Sequence, residues 1–377
     1  MTEPVWDGWG ACYPPKSAWV PIQPGEVRRA WSRALADETL PRERRRIGLY
    51  VHVPGEPTPA YPSLLAEEIR ALGLPSGTAM DTLFIGSSGS GGLCALSPPR
   101  LEELLSLLER HFDLTRSRQS TAELRADGLA AESVAALRRH DIRRITVPIH
   151  EPPPGTKRAG WERSLAKGCL LIRKGGLDLD LDLAVAGWEW RDPDLCLRLL
   201  LFAQELGPAS VDVDEPRFPE WTDPRLRERV HRAVRTLRQR SDPRRKNLQL
   251  LHSAGHRSHV LGLGFGAVSH LADRLQYEMD GGFEAYTGEL ECGRPPLLRG
   301  CRLSRNLEMR ARIMGCLASG EPIWRSRFRA CFGEYPEAAF AGTFRRLMDA
   351  GRIRRTRTAL QAVSCQAGQE SAAAFRI

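Results

Sequence analysis

Ile47-Gly-Leu-Tyr-Val-His-Val53-Pro54 is the stretch on which the fold turns. A run dominated by apolar and β-branched side chains, closed by a proline that cannot donate to a ladder, predicts a buried strand over 47–53. Gly55-Glu-Pro-Thr-Pro-Ala-Tyr-Pro62 follows as a turn-rich loop leading into a helix. No cysteine lies anywhere between Cys12 and Cys94.

Outward from that strand, the same unit repeats. Strands are predicted at 47–53, 82–85, 120–124, 144–149, 177–183 and 209–213. Helices fall between them, at roughly 62–72, 97–111, 130–139, 159–174 and 192–206. Ser97-Pro98 reads as a helix start, with the serine accepting from an orphan amide and the proline in the first turn. Glu102 and Glu103 suit the positive end of that helix. Repeated strand–helix units imply parallel strands joined by right-handed crossovers. Six of them predict an α/β fold, an open, partial (β/α)6 barrel of the TIM type.

The flanks read differently. Residues 1–46 form an N-terminal arm rich in aromatics and proline, with an amphipathic helix near Glu26–Leu35. Arg244–Lys246 marks a loop before the apolar run Leu248–Leu251. Apolar residues at 303, 307, 309, 313, 314 and 317 carry a helical period. Helices near 323–331 and 337–349 and a short basic strand follow, so the end resembles a winged-helix unit. The division is therefore arm 1–46, barrel 47–270, connecting segment 271–302 and C-terminal domain 303–377.

Composition narrows the class. The 377 residues are 42% hydrophobic and 27% charged, as in a soluble globular protein. No apolar run approaches 18 residues and no charged-then-apolar leader opens the chain, so the expectation is a cytoplasmic protein without a membrane partner. The nine cysteines form no C-x2-C or C-x3-C pair, which in a reducing compartment predicts free thiols. The net charge of +9 invites a nucleic-acid reading, but only five basic residues are lysine. Such an arginine bias reflects genome composition, and the arginines interleave with acids, as in Arg42-Glu-Arg-Arg-Arg46. Overall charge thus argues against a nucleic-acid partner.

Several segments recur in a fixed order. Thr82-Leu-Phe-Ile-Gly-Ser-Ser-Gly-Ser-Gly-Gly92 is a strand entering a glycine-rich turn, and Leu96-Ser-Pro-Pro-Arg-Leu-Glu-Glu-Leu-Leu105 with His111-Phe-Asp-Leu114 is the helix after it. Thr121–Leu124, Leu137–Thr146, Leu177–Leu183 and Leu261-Gly-Leu-Gly-Phe-Gly-Ala-Val-Ser-His270 follow, then Arg274–Tyr286 and Leu303–Arg354. In this order and spacing, residues 47–355 resemble the oxygen-independent coproporphyrinogen III oxidase-like family of radical S-adenosylmethionine (SAM) enzymes. Ala11-Cys-Tyr-Pro-Pro-Lys-Ser-Ala-Trp19 also resembles the opening of one bacterial subgroup. In that family the first strand runs into C-x3-C-x2-C, whose thiolates hold three irons of a 4Fe-4S cluster while the fourth binds SAM. Here the corresponding loop carries no cysteine.

The resemblance implies a set of site residues. Gly86, Ser87, Gly89, Gly91 and Gly92 occupy the place of the family's G-G-G-T-P turn, whose amides face the ligand. A permissive strand-to-helix loop is the plain alternative. Glu123 matches the acidic residue that helps hold SAM, and Asp182 the aspartate of a D-L-x-x-G-L-P segment. His150 stands where the family has glutamine, and Arg158 near a basic ligand-binding position. Each also reads as a polar cap on a strand end. His252, His256, His259 and His270 cluster around Gly262–Gly266, and one branch of the family carries heme. That branch's H-N-x-x-Y-W segment is absent, however, and no H-x-x-x-H or H-E-x-x-H pattern occurs.

Three functions are compatible with these residues. The first is a degenerate, non-catalytic family member without a 4Fe-4S cluster, binding SAM weakly if at all, or partnering an active radical SAM paralogue. The second is a working oxidoreductase on a tetrapyrrole or other bulky substrate with atypical cluster ligation. The third is a nucleic-acid-binding regulator acting through Arg352-Ile-Arg-Arg-Thr-Arg357.

Overall fold

In the computed structural model, the described residues are 14, 16–36, 47–55, 60–86, 92–115, 117, 119–149, 157–183, 192–213, 222–239, 259–279, 282–296 and 298–376. Eleven strands form one sheet. They are β1 (Val20–Ile22), β2 (Ile47–His52), β3 (Thr82–Gly86), β4 (Gln119–Glu123), β5 (Arg144–Ile149) and β6 (Asp178–Leu183). Then come β7 (Ser210–Val213), β8 (His259–Leu263), β9 (Ser269–Leu271), β10 (Leu275–Met279) and β11 (Leu298–Arg302). Their spatial order is β1-β11-β10-β9-β8-β2-β3-β4-β5-β6-β7. The seven from β8 to β7 are mutually parallel, and the sheet is open rather than closed.

Strands β2 to β7 stand side by side in chain order, so successive right-handed crossovers put their helices on one face. Those helices are α2 (Tyr61–Leu72), α3 (Pro98–His111), α4 (Ala131–Arg139), α5 (Arg158–Lys174), α6 (Pro193–Glu205) and, after β7, α7 (Pro224–Gln239). Leu49, Val51, Ile85, Val147, Leu181 and Leu263 point into this layer and form one core with the helices. The opposite, inner face has a separate small core of Tyr50, Phe84, Val260 and Ala267. This is the partial barrel that the alternation predicts, with every predicted strand present.

Three differences have physical causes. Ser97 occupies the N-cap of α3 with extended backbone, yet its side chain makes no capping bond. Pro98 and Pro99 fill the next two positions, and Pro99 has no N–H to donate. Glu102 and Glu103 lie beyond the first turn and serve cations instead of the helix dipole. Glu102 accepts from Arg139 at 2.5 Å and bonds His140 at 2.9 Å, while Glu103 pairs with Arg100 at 2.5 Å. Residues 271–302 are more than a connection, since β10 and β11 extend the sheet antiparallel and β1 of the arm closes its edge.

The N-terminal amphipathic helix exists as α1 (Pro24–Ala36), buried through Val27, Trp31 and Ala34, and α8 (Phe283–Glu291) runs between β10 and β11. At the other end, Arg305–Ser319, Ile323–Trp324, Arg325–Phe332, Ala341–Asp349, Ile353–Arg355 and Ala359–Ala362 follow in turn. Their three strands make a separate sheet over a core containing Phe328, Phe344 and Phe375. Helix–strand–helix–helix–hairpin is the winged-helix order expected. Arg244–Lys246 and Leu248–Leu251 lie outside the described residues. Among the described residues no helix is long and apolar enough to cross a membrane.

Candidate functional site at the mouth of the sheet

Strand register decides which sequence-predicted residues meet. His52 pairs with Gly86 across β2 and β3, Glu123 with Thr146 across β4 and β5, and Pro148 with Asp182 across β5 and β6. Side chains alternate along a strand, so His52, Gly86, Glu123 and Asp182 share the inner face at the C-terminal ends of the strands. In barrels built this way, sites lie at that end. Glu123 is buried and Asp182 half-buried. The structure therefore brings Gly86, Glu123 and Asp182 to one mouth. Gly92 opens the 3-10 turn Gly92–Ala95 after β3. Arg158 begins α5, after the same end of β5, but its Nε donates to Glu162 of its own helix at 2.7 Å. Ser87, Gly89, Gly91 and His150 lie outside the described residues.

Gly86 has a steric reason to be glycine. A Cβ there would stand 2.5 Å from the Phe84 ring. That ring is stacked on Tyr50 at 5.8 Å with an interplanar angle of 28°. Both aromatics belong to the inner apolar core, which closes the floor of the mouth on the β8–β2–β3 side and keeps water out.

The other half of the inner face is polar, and sequence reading missed its centre. Arg144 Nε lies 3.2 Å from the Asp180 carboxylate, with the two side chains 12% and 8% exposed. Thr121, Thr146 and Ser210 are buried on the same face beside them. A buried ion pair carries a desolvation penalty that an apolar pair would not, so it is weak evidence of a purely structural role. The signal was available in Asp178-Leu-Asp-Leu-Asp-Leu183. A parallel strand covered on both faces reads as continuous apolar sequence, and strict alternation of aspartate with leucine marks one face as polar.

Behind the mouth, the ends of the cysteine-free loop are fixed by hydrogen bonds. Tyr61 Oη, at the start of α2, donates to the His52 carbonyl, and His52 Nδ1 bonds the Phe265 carbonyl. A carbonyl only accepts, so Nδ1 carries the proton. Burial lowers the His52 pKa, opposed by that bond. Two turns along α2, Glu68 is completely buried. Its Oε2 accepts from Gly264 N at 2.9 Å and from Tyr286 Oη at 2.7 Å. Burial raises its pKa to about 7, with the Tyr286 and Gly264 bonds opposing. Gly264 holds φ +91°, in the region that glycine alone adopts without strain. The glycines of 261–266 are thus explained by backbone conformation and close packing.

The histidine cluster separates. His259 is buried in the core, its Nδ1 accepting from Ala272 N at 3.1 Å and its ring edge-on to Trp31 at 6.1 Å. His270 Nε2 is 3.7 Å from Glu308 Oε1. His252 and His256 lie outside the described residues. Among the described residues, no group of three His, Cys, Asp or Glu is placed to hold a metal ion.

No family model matches the chain. No curated protein matches it either. Among solved structures it is similar to the coproporphyrinogen III oxidase of Escherichia coli, a radical SAM enzyme. The TM-score is 0.68 over 92% of this chain and 93% of that one, at 15% sequence identity. The likeness in fold thus extends over most of the chain.

Proposed function

We propose that this chain is a non-catalytic form of the radical SAM fold, which keeps the mouth as a polar binding site and has given up the cluster loop. The observation that carries the reading is a mismatch. Gly86, Glu123 and Asp182 stand on three strands at one mouth, while the loop that would hold the cluster, Pro54–Ala60, offers one carboxylate and no thiol. A site-differentiated four-iron cluster needs three thiolates on a short span. Cys94, in the turn after β3, is a single thiol, and it donates to the Arg125 carbonyl at 3.0 Å. The donor set does not fit the cluster, and no step is assigned to it.

A ligand for this mouth combines a flat apolar part with charge. Glu123 supplies a carboxylate for an ammonium group. SAM has both features, as has any zwitterionic nucleoside of its kind. Without an iron to chelate its amino-acid end, binding falls in the high-micromolar range or weaker, about 5 kcal/mol. Calorimetry on the purified protein should show weak heat with SAM, removed by Glu123→Ala. Tight binding that survives this substitution would assign the ligand to other residues.

The cluster has its own test. Anaerobic reconstitution with iron and sulfide should leave the protein without stoichiometric iron and without reductive SAM cleavage. Near-stoichiometric metal with cleavage on reduction would replace this reading by the active one, an oxidoreductase on a tetrapyrrole or similarly bulky substrate. Under the non-catalytic reading, chemistry comes from a partner, and a cysteine-bearing paralogue that shares this fold is the partner we expect.

A further inference from the structure

The net charge of the chain is concentrated at one end. Residues 303–377 hold 13 arginines, no lysine and 6 acidic residues, a net +7 of the +9 carried by all 377 residues. This stretch is the winged-helix unit, which we now label α9 (Arg305–Ser319), β12 (Ile323–Trp324), α10 (Arg325–Phe332), α11 (Ala341–Asp349), β13 (Ile353–Arg355) and β14 (Ala359–Ala362). Helices α10 and α11, joined by the short helical turn Pro336–Ala339, have the helix-turn-helix order in which the second helix enters the major groove of DNA.

The arginines divide by role. Arg325 is structural, with Nε bonding Glu337 at 2.5 Å, Nη1 donating to the Arg357 carbonyl at 3.0 Å and its guanidinium stacked over Tyr335 at 4.8 Å. Arg305 and Arg352 pair with Glu334 and Glu370, each at 3.4 Å. Arg345 and Arg346, on the outer face of α11, are exposed and have no ion-pair partner among the described residues. The same holds for Arg354 and Arg357 on the hairpin β13–β14. Buried Phe344 and Leu347 fix the rotation of α11 and so send Arg345 and Arg346 outward. The hairpin is equally rigid. Its strands pair from Ile353–Ala362 to Arg355–Leu360, and Thr356 N donates to the Ala359 carbonyl at 2.8 Å. Arg325 grips the Arg357 carbonyl, so the Arg357 backbone is held while its side chain projects.

We propose that the α11 face and the β13–β14 hairpin form a docking surface for duplex DNA, held through its phosphates. Four arginines without carboxylate partners sit on two rigid projections next to each other in the chain, a helix face and a hairpin. Phosphate contacts of this kind fix position on a duplex, and the counterions they release make affinity depend steeply on salt. The whole-chain charge argued against such a partner, because averaging over 377 residues hides where the cations stand.

The test is fluorescence anisotropy of a labelled 20-base-pair duplex with the full-length protein, titrated at several salt concentrations. Binding at about 10 µM at low salt is expected, with a log–log salt slope of roughly −3 to −4, about 0.9 per phosphate neutralised. Arg345→Gln/Arg346→Gln and Arg354→Gln/Arg357→Gln should each flatten that slope by about 2 and weaken binding at least tenfold. Asp349→Asn, which removes the acid from the same helix, should tighten binding, a gain that misfolding cannot mimic. Arg229→Gln/Arg232→Gln on the equally basic α7, both exposed, is the control and should leave binding unchanged. The proposal is overturned by no binding at low salt or by an equal loss from the α7 pair. Stronger partition onto anionic phosphatidylglycerol vesicles than onto DNA would overturn it too.

Discussion

Gly264→Ala is expected to lower the unfolding free energy by about 3–5 kcal/mol, the largest single-residue effect we foresee. Two costs coincide at this position. The backbone holds φ +91°, which an alanine adopts only with strain, and an added Cβ runs into both Tyr61 Oη and the His52 carbonyl. Both are part of the fixed frame behind the mouth, so neither yields at the end of a flexible side chain. The Gly264 amide also donates to Glu68, and any shift there strands a fully buried carboxylate. Urea denaturation gives the number directly. A loss below 1 kcal/mol would mean that the β8 turn relaxes freely and that the frame is softer than its packing implies.

Glu68→Gln should act in the opposite direction, with a pH dependence that identifies its cause. Burial raises the folded-state pKa of Glu68 from 4.5 to about 7. Between those values the folded chain holds a proton that the unfolded chain has released, so stability falls as pH rises through this window. Below pH 4.5 there is no penalty, and above pH 7 it is complete, at about 3 kcal/mol. Glutamine keeps an acceptor for Gly264 N and Tyr286 Oη but does not titrate. The variant should match the parent near pH 5 and exceed it by about 3 kcal/mol at pH 8. Parallel stability profiles for the two proteins across that range would contradict this account of Glu68.

The outline of the fold could be read in the residues because apolar periodicity and turn chemistry act locally. The strands from Ile47 to Val213 and the helices between them fall within one or two residues of expectation. Sequence reading failed where partners come from far away. Glu68 looks like one more polar residue on an amphipathic helix, and its burial depends on Gly264 and Tyr286, about two hundred residues distant. Arg144 and Asp180 belong to different strands, and only the register of β5 on β6 reveals the pair. Of the nominated site residues, Gly86, Glu123 and Asp182 meet because each ends a parallel strand, a property that sequence does show. Arg158 follows the same end of β5, yet its guanidinium is satisfied by Glu162 one turn away. Ser97 fails as a cap for a local reason, since Pro99 takes one of the two positions whose amide it would accept from.

The hydrogen bond from Tyr61 to the His52 carbonyl has a consequence for what the loop between them can become. Bringing the ends of a flexible segment together costs entropy that grows only logarithmically with length, so doubling it adds about 0.6 kcal/mol. Here the two ends already meet, tethered across nine positions by a side chain. His52 and Tyr61 thus form a preformed socket at the end of β2. Longer or chemically different inserts, a thiol-bearing one included, can be exchanged there at little cost to the sheet.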